Sequence, residues 1–381
     1  MGMKQGWRIK KLGEVCYFER GLTYAKGDEV ATSSKGVLRS NNIDLITNSL
    51  NYDEIKYLRE DFEIPTKKMV RKNSLLMCIS NGSKIHLGKV ALIEDDIDYA
   101  FGGFMGLLTP NEAIIHPRYF YYALISPAYK MMIQGLSDGA NINNLKFADL
   151  QSFDIPIPPL AEQKRIVEIL DREFEKIDAL KANAERSLQQ AKDLFQSALK
   201  QELQCDKYHN LNEVYNIKTG KLNSNAAEDG GIYPFFTCSR EIFAINTYAF
   251  DCEAILLAGN NASGDFNVKY YNGKFNAYQR TYIITAKKAG INVRILYYIL
   301  TNYLTTLKKM SLGANTKFLK LGMIETILIP NFDETHMSLV VGRLDDLSKN
   351  CKKLEENYTK TMALCDDMKQ ALLRKAFNGE L

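Results

Sequence analysis

The chain repeats itself over a distance of 174 residues. The motif Gly139-Ala140-Asn141, followed by Ile155-Pro156 and a helix-like run, recurs as Gly313-Ala314-Asn315, followed by Ile329-Pro330 and a second helix-like run. This period is much longer than the roughly 20–50 residues of a solenoid repeat. The repeat therefore predicts a duplicated domain with a long helix attached to each copy.

The composition is that of an ordinary globular protein of two or three domains. The 381 residues are 46% hydrophobic and 25% charged, with a net charge of +4 that permits nucleic-acid binding. No apolar run approaches the ~20 residues of a membrane helix, and the N-terminus has no apolar signal core. The seven cysteines form no C-x-x-C pair, which indicates reduced thiols and no zinc site. We expect a cytoplasmic protein that does not bind membranes.

Two runs, residues 161–204 and 334–381, have the composition of long helices. Pro158-Pro159 ends the first globular half, because consecutive prolines continue neither a helix nor a strand. The first run has no proline or glycine from Glu162 to Leu203, and the second has only Gly342 between Thr335 and Phe377. We therefore expect one long helix after each globular half.

Apolar positions in both runs are spaced alternately by four and three residues, which is the heptad pattern of a coiled coil. The first helix leads from domain 1 to domain 2 and the second leads back, so the pair is predicted to run antiparallel. The alternative is that each helix packs along its own globular domain. The predicted seam comprises Ile166, Leu170, Ile177, Leu180 and Leu194 of the first helix, and Val340, Leu344, Leu347, Leu354, Tyr358, Met368 and Leu372 of the second.

The globular halves are predicted to be α/β (α+β) domains in tandem duplication, separated by the two long antiparallel coiled-coil helices. Residues 253–257 and 281–284 are predicted to be buried strands, and residues 117–130 and 294–307 helices. The predicted boundaries are residues 1–160 for domain 1, 161–204 for long helix 1, 205–333 for domain 2 and 334–381 for long helix 2.

Loops rich in Asn, Gly, Ser and Lys recur in both halves and supply candidate DNA-binding residues. Asn and Gln suit adenine edges, Arg suits guanine, and lysines suit phosphates. The alternative is that Asn and Gly simply fill turns, and that Arg280 makes an ordinary surface ion pair. The candidates are Arg39, Asn41, Asn42, Asn81, Lys84 and Lys146 in the first half, and Lys218, Lys221, Asn260, Asn261, Lys269, Gln279, Arg280, Lys317 and Lys320 in the second.

Catalytic motifs are mostly missing. There is no Asn-Pro-Pro-Tyr-like or Asp-Pro-Pro-Tyr-like tetrapeptide of the kind that base methylation uses. Asp44 with Glu54 and Lys56 loosely resembles a nuclease metal site, but the second half does not repeat it. The glycine-rich run at residues 101–106 is predicted to be a tight strand-to-turn packing site. We predict no catalytic residue and no metal site.

The segment Ile155-Pro156-Ile157-Pro158-Pro159-Leu160-Ala161-Glu162-Gln163 resembles the hallmark of specificity subunits of Type I restriction–modification systems. The opening Leu12-Gly13-Glu14-Val15, the Gly-Ala-Asn repeats and the closing residues 373–381 are similar to the same family. The resemblance covers the whole chain. The second copy departs from it, because Ile329-Pro330-Asn331-Phe332-Asp333 lacks the second proline and the Glu-Gln pair.

The resemblance implies a non-catalytic subunit in which domains 1 and 2 are target recognition domains and the long helices are spacer helices. Each target recognition domain would bind one half of a split double-stranded DNA sequence. It further implies that the helices set the spacer between the halves and dock two methyltransferase subunits, which motor–nuclease subunits join. S-adenosylmethionine, ATP and magnesium are then expected on the partner subunits and not on this chain. Two other hypotheses are a two-headed adaptor that binds something other than DNA, and a stand-alone nuclease or methyltransferase with a duplicated fold.

Overall fold

The computed structural model describes residues 5–138 and 144–381. The chain divides into two compact units: unit 1 comprises Met1–Asn183 and Thr361–Leu381, and unit 2 comprises Ala184–Lys360. The first copy of the Gly-Ala-Asn motif, at Gly139, lies outside the described residues. In the part of the chain that the structure covers, no helix combines the length and apolarity needed to cross a membrane.

The helices confirm the two predicted long runs. The predicted helix over residues 117–130 is divided in two ahead of Pro127, whose ring disfavours helical geometry in the preceding residue. The helices are α1 (Leu12–Val15), α2 (Pro117–Ala123), α3 (Pro127–Asp138), α4 (Phe147–Gln151), α5 (Leu160–Glu202), α6 (Leu211–Val214), α7 (Val293–Met310), α8 (Leu321–Glu325) and α9 (Glu334–Phe377).

The strands are short, as expected of a mixed fold, and those predicted over residues 253–257 and 281–284 are confirmed. Unit 1 contains β1 (Arg8–Lys11), β2 (Cys16–Arg20), β3 (Glu29–Val30), β4 (Lys35–Leu38), β5 (Lys56–Leu58), β6 (Leu75–Cys78), β7 (Val90–Leu92), β8 (Tyr99–Phe101), β9 (Met105–Pro110) and β10 (Asp154–Ile157). Unit 2 contains β11 (Tyr208–Asn210), β12 (Tyr215–Thr219), β13 (Tyr233–Phe236), β14 (Phe243–Ile245), β15 (Phe250–Ala258), β16 (Asn260–Asn261), β17 (Val268–Ala277), β18 (Thr281–Ala286), β19 (Lys317–Phe318) and β20 (Leu328–Pro330).

The two units share a framework. Each begins with a strand that pairs antiparallel with the strand just before its long helix: β1 with β10 in unit 1, and β11 with β20 in unit 2. Each then has a one-turn helix, α1 or α6, at the repeated Leu-x-Glu-Val motif. The structure therefore places the sequence repeat on equivalent elements.

The main sheets are also related. Unit 1 has two four-stranded sheets, ordered β2-β9-β6-β7 and β3-β5-β4-β8. Unit 2 has one six-stranded sheet, ordered β12-β18-β15-β17-β13-β14. The parallel pair β4–β8 of unit 1 corresponds to the parallel pair β13–β17 of unit 2. The sheets join in unit 2 because β17 is one continuous strand where unit 1 has the separate strands β7 and β8.

Each globular core takes in one end of each long helix. In unit 1, Leu170 of α5 and Leu373 of α9 are fully buried in the same cluster as the domain core. In unit 2, Leu199 of α5 and Leu344 of α9 are buried in the corresponding cluster. Burying each such side chain contributes about 1.5–3 kcal/mol. The hypothesis that each helix packs along its own domain therefore holds for the first part of each helix only, since the last part packs into the core of the other domain.

Between these ends, the helices contact each other within each unit. In unit 1, Lys181 lies 2.7 Å from Asp366, and Lys369 binds Asp178. In unit 2, the Cys351 thiol donates to the Ala191 carbonyl over 3.6 Å. Within each unit, residue numbers rise along α5 as they fall along α9, so the two segments run antiparallel there.

The predicted heptad seam is narrower than expected. Ile166, Leu170, Ile177, Val340 and Leu344 are buried, and Leu347, Tyr358 and Leu372 are half-buried. The prediction of burial is wrong for Leu180, Leu194, Leu354 and Met368, which are 47%, 57%, 39% and 48% exposed. The physical reason is that two helices alone cover only a narrow stripe of one another, whereas a wider apolar stripe needs a further surface.

An ionic contact repeated in both units fixes α2 and α7 to the long helices. In unit 1, Asp171 of α5 accepts a hydrogen bond from Arg118 over 2.6 Å and another from the Tyr122 hydroxyl. In unit 2, Asp345 of α9 accepts from Arg294 over 2.8 Å and from the hydroxyl of Tyr298. We call each set of three residues the carboxylate clasp.

The two long helices begin differently. Gln163 of α5 is fully buried and its amide oxygen accepts the His116 N–H over 2.8 Å, while its nitrogen donates to two carbonyls, those of Ile114 and Pro158. The Glu-Gln hallmark therefore has a structural role at this junction. At the start of α9, the Asp333 carboxylate accepts the N–H of His336 and caps the helix instead.

Replacing Asp171 with Asn should loosen α2 selectively. A half-exposed, charge-assisted contact of this kind contributes about 1–2 kcal/mol, so amide protection of α2 is expected to fall about tenfold. Hydrogen–deuterium exchange of the full chain measures this, with α7 as the internal reference. Asp345→Asn should reverse the pattern.

The control variant is Asp366→Asn, whose carboxylate pairs with Lys181 on the surface and is 59% exposed. An exposed pair contributes little, so α2 and α7 should keep their protection. Unchanged exchange of α2 in the Asp171→Asn protein would contradict a positioning role for the clasp.

Candidate nucleic-acid interface

The most regular shared feature of the two units is a four-residue turn that we call the anchored turn. It comprises residues 102–105 in unit 1 and 278–281 in unit 2. In both, the N–H of the fourth residue donates to the carbonyl of the first over 2.8 Å. The turn leads directly into β9 in unit 1 and β18 in unit 2, so one end of it is held by a buried strand.

A second backbone hydrogen bond ties the turn to the end of a neighbouring strand. Gly102 N–H donates to the Leu38 carbonyl at the end of β4, and Tyr278 N–H donates to the Phe236 carbonyl at the end of β13. Both bonds are 2.9 Å long. The loops that follow these strands, residues 39–42 and 237–240, therefore start beside the turn.

The carbonyl of the third turn residue is held as well. The carbonyl of Phe104 accepts the N–H of Ile79 over 3.0 Å, and the carbonyl of Arg280 accepts that of Gly259 over 2.9 Å. The carbonyl of Ile79 in turn accepts the N–H of Leu145 over 2.7 Å. The carbonyl of Gly259 likewise accepts the N–H of Leu319 over 2.8 Å. Three separate stretches of each unit are thus brought together by main-chain bonds.

A loop built on an asparagine follows in each unit, at residues 80–84 and 260–264. Asn81 Oδ1 accepts the N–H of Ser83 over 2.9 Å, and Asn261 Oδ1 accepts the N–H of Ser263 over the same distance. This is an Asx turn, in which a side-chain oxygen substitutes for a backbone acceptor. Both asparagines were predicted as DNA contacts, and the structure uses at least their oxygens to shape the loop.

Glycine is required where β2 and β12 end against the anchored turn. A Cβ on Gly21 would lie 1.9 Å from the carbonyl oxygen of Gly102, and one on Gly220 would lie 2.0 Å from that of Ala277. These neighbours are backbone atoms that no rotamer change can move aside. This close approach packs the start of the turn directly against the end of β2 in unit 1 and of β12 in unit 2.

In unit 1 the converging loops line an open cleft of about 1200 Å³. Three predicted DNA-binding residues, Arg39, Asn41 and Asn81, line this cleft together with the exposed ring of Phe104 and the buried Lys89. The structure therefore brings together side chains that are far apart in sequence. The cleft is lined by basic, amide and aromatic side chains, which is more than one kind of recognition group.

The electrostatics of the cleft favour an anion. The lining includes Arg20, Arg39 and Lys89, opposed by Glu29, which is itself 2.8 Å from Lys56. Burial lowers the pKa of the Lys89 ammonium, whose Nζ donates to the Ile43 carbonyl over 2.8 Å. An excess of basic groups in a concave surface raises the local concentration of polyanions.

Two buried nitrogen atoms of the cleft lack an internal partner. Among the described residues, neither Nε of Arg39 nor Nδ1 of His86 forms a hydrogen bond. Burial, and then the charge of Lys89, lowers the pKa of His86. Unsatisfied buried polar atoms are uncommon, and both of these residues border a space that a ligand can enter.

Comparison with known proteins now decides the family. The model of the Type I restriction modification DNA specificity domain matches residues 4–190 and 207–357, one segment in each half of the repeat. The chain belongs to this family. The match covers most of the chain and includes both anchored turns.

Curated relatives are specificity subunits of Type I restriction enzymes. That of StySPI from Salmonella potsdam is 26% identical over 100% of this chain and 90% of the relative. That of EcoDI from Escherichia coli is 36% identical over 45% of this chain and 37% of the relative. The specificity subunit of EcoKI from Escherichia coli strain K12 is 33% identical over 52% of this chain and 42% of the relative. The chain thus matches less than half the length of the last two.

Solved structures share the fold of this family member. One, from a study of complex assembly and conformational transition of the type I R-M system, has a TM-score of 0.81 at 19% identity and covers 100% of both chains. The HsdS subunit from Thermoanaerobacter tengcongensis has a TM-score of 0.59 at 18% identity, over 100% of this chain and 99% of that one. At these identities the likeness concerns the fold alone.

Not all predicted contacts of the specificity domain in unit 1 are accessible. Asn42 is fully buried, its Oδ1 accepting the Arg39 N–H over 2.9 Å and its Nδ2 donating to the Asn51 carbonyl over 3.2 Å. The prediction that Asn42 contacts DNA is therefore wrong, because its amide closes the turn at residues 39–42. Lys84 and Lys146 are exposed but are not part of the cleft wall.

In unit 2 the predicted residues fall into two groups. Most of them surround the anchored turn or its neighbours, but Lys269 is engaged elsewhere: its ammonium donates to the Ser239 carbonyl and to Asn267, and burial lowers its pKa. It braces the 237–240 loop. Exposed candidates are Lys218, Lys221, Gln279, Arg280 and Lys320, and half-buried ones are Asn260, Asn261 and Lys317.

Some residues of the site had no sequence signal. Phe104 was included in a glycine-rich packing run, yet it is 70% exposed at the anchored turn. Arg240, which pairs with Asp265 at 2.6 Å, starts no recognisable motif. One sequence signal was available. Gly21 and Gly220, which precede Leu22 and Lys221-Leu222, occupy equivalent positions, and an alignment of the two halves could have detected this.

The loosely nuclease-like trio is not assembled as a metal site. The Asp44 carboxylate accepts the N–H groups of Thr47 and Ile46 over 2.7 and 2.9 Å, bonds that lower its pKa. Lys56 instead lies 2.8 Å from Glu29. Across residues 5–138 and 144–381, no three His, Cys, Asp or Glu side chains are grouped to hold a metal ion.

Replacing Asn42 with Ala should destabilise unit 1 by about 1–3 kcal/mol, because the Arg39 N–H and the Asn51 carbonyl, both half-buried, lose their partner in the buried Asn42 amide. The expected result is lower hydrogen-exchange protection of residues 39–51, measured on the full chain by mass spectrometry. Asn41→Ala is the matched control, since Asn41 is exposed and its amide only donates to the Glu54 carbonyl over 3.3 Å. Equal protection in the two variants would contradict the structural role of Asn42.

Proposed function

We propose that this chain is the DNA-recognition subunit of a Type I restriction–modification enzyme, and that each unit reads one half of a bipartite, asymmetric target. The observation that carries the proposal is the anchored turn, which the same backbone bonds hold in both units of a DNA specificity family member. Two similar sites on one chain suit a target with two halves, and their different side chains suit halves that differ in sequence.

The chemistry of the cleft supports double-stranded DNA as the ligand. Phosphates require basic groups, and base edges require Arg, Asn and Gln side chains held on a fixed backbone. In unit 1, Arg39 and Asn41 line the cleft beside the basic Lys89, whereas both amide atoms of Asn81 form hydrogen bonds within the unit. In unit 2, Gln279 and Arg280 project from the equivalent turn. A two-headed adaptor for a neutral or apolar partner would not need these groups.

The long helices are proposed to set the spacer and to dock two methyltransferase subunits, which motor–nuclease subunits join. The support is the four apolar seam residues that remain exposed. Leu180 and Met368 belong to unit 1, and Leu194 and Leu354 belong to unit 2. Each unit thus keeps two predicted seam side chains exposed, and we propose that each such pair contacts one methyltransferase subunit.

In this proposal the chain itself is not catalytic and acts in the cytoplasm, where its DNA target lies. S-adenosylmethionine, ATP and magnesium would be bound by the partner subunits. The alternative of a stand-alone nuclease or methyltransferase predicts that the purified chain cuts or methylates DNA without partners. An assay of the isolated chain with radiolabelled S-adenosylmethionine, and separately with magnesium, tests that alternative.

The proposal is tested by selecting from a randomised duplex library with the full-length chain. The expected result is enrichment of two constant half-sites separated by an unread gap of fixed length. Affinity should fall steeply with salt, because phosphate neutralisation releases counterions. Enrichment of no sequence, or of one contiguous site only, would overturn the proposal.

Replacing Lys320 with Ala should weaken binding to all duplexes alike. Lys320 is exposed and follows Leu319, whose N–H is bound to Gly259 beside the anchored turn, so it suits a phosphate. Loss of one phosphate contact is expected to reduce the slope of log K against log salt by about one. Lys146 occupies the equivalent position in unit 1 and should behave in the same way. Altered base preference would show that either lysine reads sequence.

Inserting seven residues near Ala184 of α5 and seven near Tyr358 of α9 should lengthen the gap but not change the half-sites. Seven helical residues span ~10 Å, which equals about three base pairs at ~3.4 Å each. Library selection with the variant measures both quantities. Changed half-sites with an unchanged gap would show that the helices do not act as the spacer.

A further inference from the structure

The third residue of the anchored turn differs between the two units although its backbone is held identically. It is Phe104 in unit 1 and Arg280 in unit 2. Their carbonyls accept the equivalent N–H groups of Ile79 and Gly259 over 3.0 and 2.9 Å. An aromatic ring and a guanidinium therefore project from the same place in two copies of one framework.

The backbone on both sides of this residue is rigidly held. In unit 1 the residue before the turn, Phe101, and the last residue of the turn, Met105, are both fully buried. In unit 2 the residue before the turn, Ala277, is fully buried, and the last residue of the turn, Thr281, is 1% exposed. A side chain on such a turn is presented in a fixed place, so less conformational entropy is lost when it contacts a ligand.

The side chains themselves are exposed and available. The Phe104 ring is 70% exposed and borders the unit 1 cleft beside Arg39 and Asn81. Arg280 is also exposed, and within the described part of the chain its guanidinium takes part in no hydrogen bond or ion pair. The alternative of an ordinary surface ion pair therefore does not apply to Arg280.

The chemistry of the two side chains selects different bases. A guanidinium can donate two parallel hydrogen bonds to N7 and O6 of guanine in the major groove. A phenyl ring has no donor or acceptor for a base edge, and the apolar group that a base pair offers in that groove is the thymine methyl. The same turn position can thus distinguish bases by charge and polarity alone.

Resting on the proposed function, we propose that the third residue of each anchored turn specifies one base pair of its half-site. Arg280 reads a guanine in the half-site of unit 2, and Phe104 contacts a thymine methyl in the half-site of unit 1. The other loops position these side chains and read neighbouring bases. Phe104 thus acts in base recognition, although the sequence pattern had placed it in a packing turn.

The test compares full-length variants in selection from a duplex library with two randomised blocks. Arg280→Ala should abolish the guanine preference at one position of one half-site, with a loss of about 10- to 100-fold for that base. Arg280→Lys should keep part of the preference, because an ammonium reaches guanine but lacks the two-pronged fork. Phe104→Ala should relax one thymine position in the other half-site.

The decisive variant is Phe104→Arg. At the thymine position that Phe104→Ala relaxes in the unit 1 half-site, this variant should instead prefer guanine. The reason is that the equivalent backbone in unit 2 already carries Arg. In every variant the untouched half-site serves as the internal control for folding. Lys349→Ala, which removes an exposed positive charge from α9, should leave both half-sites unchanged.

The outcomes separate the two proposals. If the wild-type chain selects no bipartite sequence, the proposed function fails and this inference fails with it. If the wild-type chain selects a bipartite sequence but Arg280→Ala and Phe104→Arg change no position, only the inference is overturned. A change of both half-sites by one substitution would likewise contradict the assignment of one turn to one half.

Discussion

Main-chain hydrogen bonds hold the candidate site of each unit together. The anchored turn is tied by its backbone to Leu38 and Ile79 in unit 1, and to Phe236 and Gly259 in unit 2. Because these bonds do not use side chains, residues at the turn can change without loss of the architecture. This explains how one duplicated framework carries Phe104 in one copy and Arg280 in the other.

Side-chain contacts are repeated where the framework must keep its geometry. Asp171 and Asp345 each receive an arginine and a tyrosine hydroxyl, and so hold α2 and α7 to the long helices. A site that reads DNA from a fixed direction needs a scaffold fixed in this way. Where the copies differ, the starts of the long helices are held differently: the Gln163 amide ties α5 to the segment before α2, whereas the Asp333 carboxylate caps α9.

Prediction from sequence was most successful for elements with strong local signals. The proline-free heptad runs became α5 and α9, and the β-rich segments became β15 and β18. It was weaker for the site. Asn42 belongs to a segment with the composition of a recognition loop, but its side chain is buried. The exposure of Phe104 depends on neighbours that are distant in sequence.

The sequence by itself determined the duplication, the two long helices and the family, because repeats, periodicity and motifs are properties of the chain order. Only the tertiary structure decided which side chains face a ligand. Burial and hydrogen bonding depend on the three stretches that meet at each anchored turn, and no local pattern encodes that meeting. The same reason explains why a third of the predicted seam residues stayed exposed, since their burial depends on what packs beside them.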